Sequence, residues 1–146
     1  MSIRCEIVSA DKQVFSGQAD IVVLPGTEGE MGILPNHAPL LTTLKLGVVT
    51  IRSHGQEEHF TVTGGIAEVQ PDVVTVLADA AENVEEIDIE RAQAARRRAE
   101  EILTRGAAPD TDSYLRMEAA LRRSQLRMDA VKRFRRGAAK KSRLVE

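Results

Sequence analysis

Three histidines, one cysteine and an arginine-rich C-terminal half are the residues of this 146-residue chain with chemistry to offer. His54 lies within the turn sequence Ser53-His54-Gly55-Gln56 and His59 just after it, without metal-ligand spacing, and both read as solvated hairpin histidines. His37 lies between Pro35 and Pro39, where its neighbours fix it by hydrogen bonding, a structural role. No nucleophile motif occurs. Cys5 stands alone among alternating apolar residues, so it reads as a buried structural thiol and can form no intramolecular disulfide. Neither a catalytic set nor a metal site is expected.

The stretch Leu24 to Leu41, LPGTEGEMGILPNHAPLL, carries Gly26, Gly29 and Gly32 at three-residue spacing, then Pro35, Asn36 and Pro39. A phosphate loop needs Gly-Lys-Ser/Thr opening a helix, and a dinucleotide fingerprint needs a helix after its last glycine. Prolines follow here instead. Glycines admit positive φ or close backbone approach, and prolines exclude a helix and a central ladder position. The segment is therefore expected to be a structured loop between strands.

The elements that position these residues divide in two. Residues 2–8 alternate Ile3, Cys5 and Ile7 with polar neighbours, a half-buried strand; Asp20–Leu24, Gly47–Ser53, Glu58–Thr63 and Val73–Leu77 read the same way. Ser53-His54-Gly55-Gln56 and Gln70-Pro71-Asp72 are turn signals. From Ile87 the period lengthens to 3.6, with Ile89, Ala92, Ala95, Ala99, Ile102 and Leu103 on one stripe behind an Asp88 cap. Gly106 and Pro109 end this helix. Asp110 or Asp112 caps a second helix bearing Tyr114, Met117, Leu121, Met128 and Val131, which Gly137 ends before a basic tail of Lys140, Lys141 and Arg143. The fold class is α+β: an N-terminal β-sandwich over residues 1–85, then an antiparallel two-helix hairpin over residues 86–146.

The charge divides at the same place. Residues 1–85 carry four basic and twelve acidic side chains, a balance of −8, whereas residues 86–146 carry sixteen and ten, a balance of +6. The halves are thus built for different partners. Arg116, Arg122, Arg123, Arg127, Lys132, Arg133, Arg135 and Arg136 offer phosphate-pairing capacity, which admits nucleic acid as a partner class. Tyr114 and Phe134 are the only aromatics there, however, so base stacking is poorly served, and an acidic protein accounts for the same charge. The alanine stripe is thin: burying a methyl gains far less than the roughly 1.5–3 kcal/mol of a buried leucine. Such a hairpin can dock and undock. No apolar run approaches the roughly 18 residues of a membrane span, and Met1-Ser2-Ile3 leads straight into a strand pattern without signal or transit peptide.

Several blocks in order carry a resemblance: Phe15-Ser16-Gly17, the LPGTEGEMGILPNHAPLLT segment, TGGIAEVQPDVVTVLADAAE from Thr63 to Glu82, and IDIERA from Ile87 to Ala92. Together they resemble the ε subunits of bacterial F-type rotary ATP synthases, over nearly the whole chain to about Arg136. Asn36 replaces a glycine of several relatives, and asparagine also tolerates left-handed φ. The resemblance implies a noncatalytic central-stalk subunit that couples rotation to ATP synthesis. Its sandwich would sit on the γ subunit and the c-subunit ring, with Glu30 and Met31 at the ring. Its hairpin would inhibit ATP hydrolysis by reaching the α and β subunits, with Arg122, Arg123, Arg127, Lys132 and Arg133 against acidic residues of β. No cofactor is required, but a regulatory ATP is implied at Glu82, Asp88, Arg91, Arg98, Arg123 and Arg127, where guanidinium groups pair phosphate oxygens. A solvated arginine face is the alternative for these residues. The resemblance further implies no nucleic acid, and a peripheral position on the cytoplasmic face of the bacterial plasma membrane, reached only through the complex.

Overall fold

The computed structural model describes residues 1–105 and 110–135, which form two compact units, one ending at Val84 and the other beginning at Glu85. Gly106, Pro109, Arg136, Gly137 and the basic tail lie outside the described residues.

The first unit has eight strands: β1 Ile3–Val8, β2 Gln13–Ala19, β3 Ile21–Gly26, β4 Gly29–Ile33, β5 Leu40–Ser53, β6 Gln56–Val69, β7 Val73–Ala78 and β8 Ala81–Asn83. They run in the order β2-β1-β7-β6-β5-β3-β4, with β8 also on β6. The long β5–β6 hairpin passes through both layers. Its open end, through Gly65–Val69, pairs with β7; its turn end, through Phe60–Val62, pairs with β8. β1 joins the first layer in parallel to β7. Alternation sends Ile3, Cys5, Ile7, Val22, Leu24, Val49, Ile51, Phe60, Val62, Val74 and Val76 into one buried core. Phe15 from β2 meets Phe60 from β6 at 5.4 Å between centroids, in a tilted pair that joins the layers.

Two expectations are corrected here. The Leu24–Leu41 segment is not wholly a loop. Leu24–Gly26 ends β3 and Gly29–Ile33 is β4, joined by the two-residue turn Thr27-Glu28 with Gly26 paired to Gly29. Pro25 is accommodated between two neighbours because the β3–β5 register shifts between Val23 and Gly26, which relieves it of a ladder bond. Likewise, His59 is not solvated. Its side chain is 9% exposed, with Nδ1 3.0 Å from Thr50 Oγ1 and Nε2 3.4 Å from Glu57 Oε2. His54 is exposed, in left-handed conformation at φ 51 beside Gly55. His37 Nδ1 lies 2.7 Å from the carbonyl oxygen of Ala38. Burial, reinforced by Glu6, pushes the Cys5 thiol up to about 12, so it stays neutral and inert.

The second unit follows a 3-10 turn at Val84–Glu86 and holds α1 Ile89–Arg105 and α2 Thr111–Phe134. Asp88 caps α1, its Oδ1 accepting from the Arg91 backbone N–H at 3.1 Å. Asp110 caps α2 in the same way through Ser113 N–H at 2.7 Å, a bond that lowers the pKa of its carboxyl. Ala92 and Ala99 are buried on α1, and Ser124, Ala130 and Val131 on α2. Tyr114, expected on the apolar stripe, is 45% exposed; buried Ser124 satisfies its hydroxyl on Ala120 O and takes the place of an apolar residue further along.

Candidate functional site

The regulatory residues inferred from the sequence fall on both units. In the first, Glu82 lies half-buried on β8, and Glu30 is exposed on β4, the end strand of the sheet. Met31 differs from Glu30: it is half-buried and packs against the core, because alternation along β4 turns it away from its neighbour. The outward face of β5, β6 and β7 carries Leu41 at 68%, Ile66 at 38% and Leu77 at 45% exposure, with Ile66 and Leu77 directly paired across strands. Sequence reasoning passed over this patch. Its signal was present, since Ile66 and Leu77 are apolar where the alternation calls for polar residues.

In the second unit, two contacts set how the helices lie beside each other. Arg96 Nη1 is 4.0 Å from Met128 Sδ, and the Arg135 side chain reaches Ile87 O. This antiparallel register places Arg98 within about one helical turn of the level of Arg123 and Arg127. Arg91 and Asp88 lie further toward the α1 start, Arg91 about 10 Å from Arg98 along the axis at 1.5 Å per residue. Arg91, Arg98, Arg122 and Arg123 are exposed, and Arg127 is half-buried. Arg96 is engaged by Glu100 at 3.0 Å and Arg105 by Glu101 at 3.9 Å, but the side chains of Arg98 and Arg123 have no such partner among the described residues. Arg98 and Arg123 thus lie at about one level on neighbouring helices, and a guanidinium group pairs anionic oxygens bidentately. Asp88 spends one carboxylate oxygen on the helix cap and keeps the other available. Lys132 and Arg133 are exposed in the last turn of α2, with the Arg133 guanidinium 4.9 Å from the Phe134 ring centroid. Among the described residues no group of histidine, cysteine and carboxylate side chains is arranged to hold a metal, and no helix is long and apolar enough to cross a membrane.

The family model described as ATP synthase, Delta/Epsilon chain, beta-sandwich domain matches residues 2–84, and that of the long alpha-helix domain matches residues 85–132. The chain belongs to the ATP synthase delta/epsilon chain family. Relatives named ATP synthase epsilon chain agree along most of their length. That of Dehalococcoides mccartyi is 44% identical over 91% of this chain and 94% of its own. That of Alkalilimnicola ehrlichii is 44% identical over 94% and 97%. That of Pelotomaculum thermopropionicum is 55% identical over 70% and 76%. A chain of the Euglena gracilis mitochondrial ATP synthase, solved as an OSCP/F1/c-ring assembly, shares the fold at TM-score 0.74 and 24% identity, covering 89% of this chain and 81% of that one. Membership of the delta/epsilon family makes the chain a noncatalytic subunit of ATP synthase.

Proposed function

We propose that the chain is the central-stalk ε subunit of a bacterial proton-translocating ATP synthase, peripheral on the cytoplasmic face of the plasma membrane. In this reading it couples rotation to synthesis through its sandwich and restrains hydrolysis through its hairpin. The observation that carries it is the division of labour within a chain of this family. A self-contained sandwich offers an apolar outer face, and a separate, alanine-seamed hairpin offers Arg98 and Arg123, which have no ion pair among the described residues. The face of Leu41, Ile66 and Leu77 serves the γ subunit, and Glu30 with Met31 serves the c-ring. The basic residues Arg122, Arg123, Arg127, Lys132 and Arg133 serve acidic residues of β, within the α and β assembly. Cysteines at Ile66 and at Glu30 in membrane vesicles are expected to crosslink to γ and to c-subunit loops respectively. An intact, coupled enzyme that yields neither crosslink removes both assignments.

ATP is the proposed regulatory ligand of the closed hairpin. Arg98 and Arg123 would pair phosphate oxygens, with Arg127 beside them and Arg91 and Asp88 further toward the α1 start. Each lost charged hydrogen bond costs about 1.5–3 kcal/mol, so Arg98→Ala or Arg123→Ala should weaken ATP on the order of ten- to a hundredfold. Calorimetric titration of the isolated chain measures this. Unchanged affinity in both variants would return the arginines to the status of a solvated face. A ligand that binds only the closed form shifts the balance by its differential affinity, so abundant ATP favours an uninhibited enzyme.

A further inference from the structure

The end of α2 is tied to the chain just ahead of α1. Arg135, which caps α2 with its backbone N–H on Val131 O, sends its side chain across the hairpin, where Nη2 donates a 2.6 Å hydrogen bond to the carbonyl oxygen of Ile87. Ile87 is 3% exposed. Its carbonyl precedes the helix: Ala92 N–H donates to Asp88 O and Arg91 N–H to Asp88 Oδ1, so the first helical acceptor is one residue further on. A buried carbonyl that its own helix does not use needs a donor from elsewhere, and Arg135 supplies a charged one.

We propose that Arg135 is a clasp for the closed hairpin, holding the exit of α2 on the entry of α1. The proposal rests on the reading above that the hairpin exchanges between a closed form, which ATP binds, and a form that meets the β subunit. The bond joins residues 48 apart and exists only while the helices lie antiparallel; once α2 leaves α1, the side chain cannot reach Ile87. A second tie between the two helices is the 4.0 Å approach of Arg96 to Met128 sulfur, a weak acceptor. With Ala92, Ala99 and Ala130 among the buried helix residues, a charged bond to a buried carbonyl adds to what distinguishes closed from open. The clasp also fixes the backbone immediately before Asp88 and Arg91. Arg135 is therefore a positioning residue for that site, without touching a ligand itself.

The test is a distance measurement on the full-length chain, with spin labels on cysteines placed at Gln93 and Asp129, both exposed; buried Cys5 stays native. In Arg135→Ala the open-to-closed ratio should rise roughly ten- to a hundredfold. Helix content by circular dichroism should be unchanged, and Arg135→Lys, which keeps the charge and one donor, should fall between. A distance distribution identical to wild type in Arg135→Ala overturns the clasp. Should that variant lose helix content, Arg135→Gln and Arg135→Lys decide: more open molecules at full helix content support the clasp, and wild-type distributions in both overturn it. Opening that brings no added inhibition in the assembled synthase would count against the regulatory role of the hairpin and leave the clasp standing.

Discussion

Gly65→Ala should cost the sandwich its fold. At Gly65 β6 leaves β7 and turns toward β8, with φ at 130°, in the region that favours glycine. A Cβ there would run into the carbonyl oxygen of Leu77 and would stand 2.9 Å from Ala78 Cα and 3.0 Å from Leu77 C. These are backbone atoms of the paired strand, and the chain is held in place immediately beyond them. Asp79 N–H donates to Gly64 O and Thr63 N–H to Ala80 O, each at 3.1 Å. Steric overlap and forced φ act together, so the expected loss is about 4 kcal/mol or more, the exceptional end of single substitutions, against a total of about 5–15. Gly55→Ala is the control. It also has positive φ, at 77°, but open space around it, and should lose only about 1–2 kcal/mol. Urea unfolding of both variants measures the difference. A Gly65→Ala protein as stable as the Gly55→Ala control would mean that the strand crossing yields.

Ending the chain after Glu85 should release hydrolysis while preserving synthesis. The β-strand core, from Ile3 through Val76 to Ala78, is complete within the first unit, so the truncated chain keeps what it needs to fold. It also keeps Glu30 and the Leu41, Ile66 and Leu77 face. What it loses is every basic residue proposed to meet β. Inverted vesicles should show wild-type proton-driven ATP synthesis and faster ATP hydrolysis. A finer version reverses charge at Lys132 and Arg133 only, which should relieve inhibition yet leave ATP affinity intact, since neither belongs to the proposed nucleotide set. Arg133 additionally gives up its contact with Phe134, worth about 0.5–1 kcal/mol at an exposed site. A folded 1–85 fragment that does not assemble would sink the division of labour. Unrelieved inhibition in both variants would sink the hairpin as the inhibitor.

The parts of this fold that could be read directly are those where one period runs uninterrupted. The β1 alternation, the Ser53–Gln56 turn and the 3.6-residue stripe behind Asp88 all reappear in the structure. Glycine and proline misled where they sit inside strands. β5 begins at Leu40, just after Pro39, and β6 runs on through Gly64-Gly65 to Val69, so both 14-residue strands looked half their length. β2, reading QVFSGQA, and the three-residue β8 have too few β-branched residues to announce themselves; long-range pairing with β1 and β6 makes them strands. The site was legible only in part for a similar reason. Spacing could put Arg123 and Arg127 on one face, but the height of Arg98 relative to them depends on how two helices pack. The burial of His59 and the reach of Arg135 to Ile87 span a pairing that no local pattern encodes.

The parallel pairing of β1 with β7 has a consequence for biosynthesis. Arg4 waits for Val73 and Val8 for Leu77, so β1 cannot take its place until almost the whole unit has followed it from the ribosome. Until then β1 has only β2, and a lone two-stranded ribbon is marginal in water. Ile3, Cys5 and Ile7 spend that interval solvent-facing, the interval in which nascent β-chains are prone to aggregate. The helices need no such wait, since their bonds are local and close within microseconds of emerging. Nascent-chain order therefore runs against structural dependence: β1 is made long before the strand it needs, whereas each helix can form as it emerges.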